Sequence, residues 1–232
     1  IGLSGGAGVC DISAYLSCPG ADYDSCWLPD AFDSVILVGS LGGTLTQIDA
    51  AQMGLVGGFS SSSTTLPDID GDGLDELVLS APRAEVCPAG KACFGSPGML
   101  AVFGSERGKL ITRVMGAEDG SRFGASMARL GDVLAVGAPF AAAGRGATYF
   151  YRVDGEELLL LSVVTGDGPS ERLGTNVAPA FGADTAAPSF LIGAPGARAG
   201  AGRLFIANAS QGITHRYDGP RPLAGMSRGV VL

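Results

Sequence analysis

Short apolar runs separated by glycine-marked turns recur along this chain, and no segment extends into a capped apolar helix of ten or more residues at a 3.6-residue period. Leu134-Ala-Val-Gly-Ala-Pro139 is one such run. It returns as Phe190-Leu-Ile-Gly-Ala-Pro195, with Gly137 and Gly193 56 positions apart. Gly146-Ala-Thr-Tyr-Phe150 returns as Gly202-Arg-Leu-Phe-Ile206 at the same interval. Ser121-Arg-Phe-Gly124 returns as Glu171-Arg-Leu-Gly174 at an interval of 50, so the later copy carries about six extra residues between its first two strands. An earlier copy reads Glu76-Leu-Val-Leu-Ser-Ala-Pro82, then Gly98-Met-Leu-Ala-Val-Phe103. The earliest reads Val35-Ile-Leu-Val-Gly-Ser40, then Gly43-Thr-Leu-Thr-Gln-Ile48.

Each copy has the same grammar. A glycine-marked segment leads to a β-rich run ending in Gly-Ala-Pro or a variant, where proline ends the strand because it cannot donate to the ladder. A turn follows, then an alternating strand such as Ala147–Arg152 and a last strand such as Lys109–Val114. Four short strands per unit of roughly 40 to 60 residues predict an all-β fold built of propeller blades, in preference to a β-sandwich. The repeats fall at approximately 22–56, 57–116, 117–166 and 167–225, giving a single propeller region over residues 1–232 with partial strands at both ends.

Composition narrows the function. The chain has 232 residues with 38 Gly and 13 Pro, yet 46% are hydrophobic, too many for a disordered chain. A net charge of −8 makes a poor nucleic-acid binder, and the longest dense apolar stretch, Leu158–Val164, is far too short to insert in a membrane. The single histidine, His215, sits in the alternating segment Ile213–Tyr217 and reads as an exposed strand residue rather than a catalytic base. The hydroxyl run Ser60–Thr65 has no paired base nearby in sequence and reads as a strand or loop. The five cysteines, Cys10, Cys18, Cys26, Cys87 and Cys93, show no zinc spacing. Cys87 and Cys93 bracket a turn-forming segment and are expected to form a disulfide, and Trp27 is expected to pack under a stapled loop. With Asn208-Ala-Ser210, a candidate N-glycan acceptor, these residues point to a secreted or cell-surface protein.

One segment carries chemistry. In Asp68-Ile-Asp-Gly-Asp-Gly-Leu-Asp-Glu76, acids stand at positions 1, 3, 5 and 9 of a tight loop. Alternate residues of a curled loop turn inward, so Asp68, Asp70, Asp72 and Glu76, with the Leu74 carbonyl, form an oxygen cage suited to one structural Ca²⁺. Asp75 is expected to point outward. An EF-hand is excluded, because its twelfth position would be Leu79 and a strand follows instead of a helix. The other copies lack the pattern: Gly131-Asp132 is a shortened turn, Phe181–Thr185 holds one acid, and Asp22, Asp24, Asp30 and Asp33 have the wrong spacing.

Phe123-Gly124 followed by Gly137-Ala-Pro139, with the acidic loop in the preceding unit, resembles the FG-GAP repeat of integrin alpha-subunit β-propellers. The resemblance implies calcium at the acidic loop, away from the principal ligand face. It also implies six or seven blades, so about four visible blades belong to a larger propeller completed by other protein chains or by the rest of the polypeptide. The function implied is a non-catalytic extracellular adhesion, protein-interaction or assembly module with no enzyme activity. Two further readings share the fold: an accessory propeller of a secreted hydrolase resembling glycosyl-phosphatidylinositol-specific phospholipase D, and a structural subunit of a surface filament or matrix.

Overall fold

The computed structural model describes residues 5–6, 34–38, 46–49, 61–85, 95–104, 109–181 and 187–220. They form an all-β fold of four antiparallel sheets. The first sheet contains β1 (Gly5–Gly6), β2 (Ser34–Val38) and β3 (Thr46–Asp49), so the earliest copy shows three strands among the described residues and draws its first from residue 5, ahead of the expected boundary at 22. The second sheet is β4 (Ser63–Leu66), β5 (Glu76–Ala81), β6 (Met99–Phe103) and β7 (Leu110–Met115). The third is β8 (Ser126–Leu130), β9 (Val133–Ala138), β10 (Ala147–Asp154) and β11 (Glu157–Thr165). The fourth is β12 (Asn176–Pro179), β13 (Ser189–Ala194), β14 (Arg203–Asn208) and β15 (Gly212–Asp218). Each four-stranded sheet is a meander in sequence order. Among the described residues the sheets do not close into a ring.

The second strand of each meander reads as a continuous apolar run because it is buried on both faces. Along β9, Leu134, Val136 and Ala138 enter a core shared with the second sheet's Val78, Leu100 and Val102. Val133 and Ala135 enter a separate core with the fourth sheet's Phe190, Ile192 and Phe205. The strands stop where expected, with Pro82, Pro139 and Pro195 following Ala81, Ala138 and Ala194. Sheets therefore stack face to face. First strands β4, β8 and β12 lie side by side, and so do last strands β7, β11 and β15.

The repeated Phe-Gly and Leu-Gly segments latch one sheet to the next. Phe123 N–H donates to the Pro97 carbonyl at 3.1 Å, and Leu173 N–H to the Arg145 carbonyl at 3.0 Å. The following glycines reach back within their own copies: Gly124 N–H donates to Gly137 at 3.0 Å and Gly174 N–H to Gly193 at 3.1 Å. This crossing leaves no room for side chains. A Cβ on Gly146 would fall 2.2 Å from the Leu173 nitrogen and 2.3 Å from its oxygen. The recurrence of glycine is thus a requirement of inter-sheet contact as well as of turns.

Each last strand carries one extra residue against its partner: Ile111 in β7, Leu161 in β11 and Thr214 in β15 lie at register shifts. Such bulges sharpen twist at a sheet edge and disfavour further strand pairing. On β11 they accompany an exposed apolar surface of Leu159, Leu160, Leu161 and Val163. Because Leu160 is 48% exposed, Leu160→Lys should leave stability within about 0.5 kcal/mol of the parent. Its melting midpoint should be unchanged and its solubility higher; a large destabilisation would mean that this edge is covered.

Candidate metal centre

The acidic loop is the connection between β4 and β5, and the sheet fixes both of its ends. Leu66, at the end of β4, is paired with Glu76, the first residue of β5, and both are buried. Between them the loop curls through Gly71 (φ 83°) and Gly73 (φ 88°), left-handed positions where glycine avoids the Cβ penalty. Aspartates bind the loop's own N–H groups. Asp68 Oδ1 accepts from Gly71 at 2.7 Å and its Oδ2 from Gly73 at 2.8 Å. Asp70 Oδ1 accepts from Asp72 N–H at 3.2 Å, and Asp72 Oδ1 from Leu74 N–H at 2.8 Å. These bonds satisfy one oxygen of Asp70 and of Asp72 and orient the carboxylates on the curl.

Glu76 closes the group from below. Its side chain is fully buried. Oε2 accepts from Ile69 N–H at 3.0 Å, while Oε1, also buried, has no hydrogen-bond partner among the described residues. Burial pushes the Glu76 carboxyl above its ordinary value, the backbone N–H groups of Ile69, Glu76 and Asp70 pull it back, and the Asp70 charge pushes it up again. One oxygen from each of Asp68, Asp70, Asp72 and Glu76 lies within 4.8 Å of the others. This is the only such acidic group among the described residues. An orphaned, buried carboxylate oxygen costs more than a kilocalorie per mole unless something answers it, and a hard cation with oxygen ligands fits that need. Those four residues would hold the ion and Leu74 would add its carbonyl. The ion would supply charge neutralisation and a fixed loop geometry.

The surroundings support the loop from two sides. A Cβ on Gly104, at the β6–β7 connection, would lie 3.0 Å from Asp70 Oδ2, so the neighbouring hairpin abuts that carboxylate. Asp75 points away from the group toward the third sheet, where Arg129 Nη2 lies 3.7 Å from its Oδ2. This matches the outward direction expected from its position.

Other residues singled out in the sequence take structural roles. His215 is exposed on β15 and stacks with Tyr217, ring centres 6.3 Å apart. Ser63, Thr64 and Thr65 are strand residues of β4. All five cysteines and Trp27 lie outside the described residues. Asn208 is fully buried and organises the β14–β15 turn: its Oδ1 accepts from Ser210 N–H at 3.1 Å and Gln211 N–H at 2.7 Å, and its Nδ2 donates to Gln211 Oε1 at 3.2 Å. The atom that would carry a glycan is therefore occupied in the fold. Asn208→Ala should cost about 1–3 kcal/mol, the price of unsatisfied buried groups, and glycosidase should leave the native mass unchanged. A mass loss on that treatment would show that the asparagine is modified instead.

No family profile matches the chain, and no curated protein does. Solved structures do. An exotype rhamnogalacturonan lyase, YesX, matches with TM-score 0.50 and 16% identity over 79% of this chain and 34% of its own. The Bacillus licheniformis rhamnogalacturonan lyase PL11 matches with TM-score 0.44 and 15% identity over 83% of this chain and 45% of its own. The chain thus spans less than half the length of either. These two are lyases rather than integrin-type domains, and at such identity the YesX likeness is one of fold alone. No helix among the described residues is long and apolar enough to cross a membrane.

Proposed function

We propose that the chain is part of a calcium-stabilised β-propeller of the FG-GAP type, acting outside the cell as a non-catalytic adhesion or assembly module. The observation that carries the reading is Glu76: a buried carboxylate oxygen without a partner, grouped with three aspartates on a glycine-curled loop. A Ca²⁺ held there by Asp68, Asp70, Asp72, Glu76 and the Leu74 carbonyl answers that oxygen and cancels the mutual repulsion of the acids. The order of the sheets, first strands together and last strands together, supports treating each as a blade. Calcium then acts as a staple on one blade, and the loops at the other end remain available to partners.

The test is metal content with a functional arm. The native protein, dialysed against calcium and then buffer, should retain one equivalent of Ca²⁺ per chain and lose it to chelator. Retention of none, with no heat of binding at millimolar calcium, would reject the metal site. Surface protease treatment of intact source cells should remove the protein; full protection would reject the extracellular assignment.

A second reading has one observation in its favour, the fold likeness to YesX over most of the chain. In that reading the propeller belongs to a secreted polysaccharide-active enzyme. Incubation with rhamnogalacturonan separates the two: unsaturated product would favour the enzyme, and an unchanged polymer favours the non-catalytic module.

A further inference from the structure

The end of the fold opposite the acidic loop carries arginines that form no ion pair with a carboxylate among the described residues. In a meander, alternate connections fall at opposite ends. The β9–β10 connection and the segments entering β8 and β12 therefore lie away from residues 67–75. Arg122 and Arg172 occupy the same position in successive copies, Ser121-Arg-Phe-Gly124 and Glu171-Arg-Leu-Gly174. Both are held in left-handed backbone, φ 54° and 58°, which a residue with a Cβ adopts only at a cost of about 1 kcal/mol or more. Both side chains converge on one ring. The Arg122 guanidinium carbon lies 4.5 Å, and that of Arg172 5.1 Å, from the centre of Phe140.

Three other arginines at this end are accounted for differently. Arg203 bonds Asp218 at 2.6 Å, Asp167 at 3.1 Å and Glu171 at 3.3 Å; Arg198 pairs with Asp218 and Arg216 with Asp167. Three guanidinium groups there meet three carboxylates. Arg122 and Arg172 have no ion pair among the described residues, and both are exposed. Arg145, also exposed, spends only its Nε on the Ala142 carbonyl, at 3.2 Å. Phe140 itself is particular to this junction, since the corresponding residue of the next copy is Gly196.

We propose that Arg122 and Arg172, clamped on Phe140, form a binding site for an oxyanion group, a carboxylate or sulfate, borne by an acidic ligand. A guanidinium resting on a ring is held in place while its N–H edge stays free, and that edge matches the two oxygens of a carboxylate or sulfate. Two such groups beside one ring can share one anion, whose charge offsets the repulsion between them. Arg145 extends the positive surface. Glu118, on the segment entering β8, accepts the Ala142 N–H at 2.7 Å and is a carboxylate that opposes the anion. Binding is therefore salt-sensitive and favours ligands with more than one oxyanion group.

Calorimetric titration of the native chain in low-salt buffer tests this, using sodium sulfate, succinate, a uronic-acid trisaccharide and the matching neutral trisaccharide. At least one anionic probe should bind, the neutral sugar should not, and raising salt to 0.5 M should weaken binding at least tenfold. The Arg122→Gln/Arg172→Gln variant, with an unchanged melting midpoint, should lose at least tenfold in affinity. Arg122→Lys/Arg172→Lys keeps the charge but loses the fork, and should fall between. Binding of the trisaccharide but not of succinate or sulfate would place the oxyanion on a carbohydrate; binding of the small anions would show that a free anion suffices. If no anionic probe binds, or if the Gln variant binds as the parent does, the proposal is overturned.

Discussion

Phe123→Ala is expected to cost about 3–5 kcal/mol, the range for truncating a buried phenylalanine. The ring is 1% exposed and plugs the junction between the second and third sheets. It meets Tyr149 edge-on at 5.3 Å and Tyr151 at 6.2 Å, so alanine removes two aromatic contacts along with the buried area. Those tyrosines cannot follow the cavity easily, because β10 is paired on both sides. Burial already pushes the Tyr151 hydroxyl to about 12. Leu173 occupies the equivalent place at the next junction, so Phe123→Leu should recover a large part of the loss. Urea melts of the three proteins decide the matter. A shift below about 1 kcal/mol for Phe123→Ala would mean that the sheets are held together elsewhere.

Much of this architecture is written in the chain because its repeats are spaced by structural necessity. Gly-Ala-Pro, or Ser-Ala-Pro in the earlier copy, ends a strand through proline's missing donor, and it marks the ends of β5, β9 and β13. The drop from a 56-residue to a 50-residue interval places the extra residues correctly: β8 and β9 are joined by Gly131-Asp132, whereas β12 and β13 are separated by residues 180–188. What sequence reading misses is set by partners distant in the chain. The bulges at Ile111, Leu161 and Thr214 are register shifts against the third strands. The left-handed turns Ala142-Ala143 and Arg198-Ala199, with φ from 51° to 57°, run against alanine's own preference and are imposed by the crossing strands. Glycines such as Gly146 look like turn residues, although contact with the next copy is what forbids a side chain there.

The acidic loop was legible for a different reason. Its acids lie within nine residues, so spacing alone groups Asp68, Asp70, Asp72 and Glu76 and turns Asp75 away. The unequal burial was not legible. Three aspartates are exposed and Glu76 is buried, because Glu76 is already a sheet residue opposite Leu66. The arginine cluster was equally hidden, since Arg122, Phe140 and Arg172 come from separate connections and no local pattern joins them.

That burial makes Glu76 the residue whose substitution discriminates most sharply. With calcium at a hundredfold excess over its dissociation constant, binding to the folded state alone should add about 2.7 kcal/mol, so chelation should lower the wild-type midpoint by several degrees. Asp70→Ala removes one ligand from the exposed side. It should lose most of the calcium response and melt near the chelated wild type. Glu76→Gln should also lose the response, but in chelator it should be at least as stable as wild type, because a neutral amide replaces a buried charge without changing shape. The pH dependence carries the same sign. The raised Glu76 carboxyl holds its proton more tightly in the folded state than in the unfolded one. Its contribution in chelator is therefore full below the ordinary carboxyl range and is lost as pH rises through the raised value. Calcium, binding only the ionised form, should remove that loss. Melts of the three proteins with calcium and with chelator, from pH 4 to 8, decide the assignment. If Glu76→Gln is the less stable protein in chelator and calcium shifts none of the midpoints, the loop is a solvated acidic turn and the orphaned oxygen is answered by water.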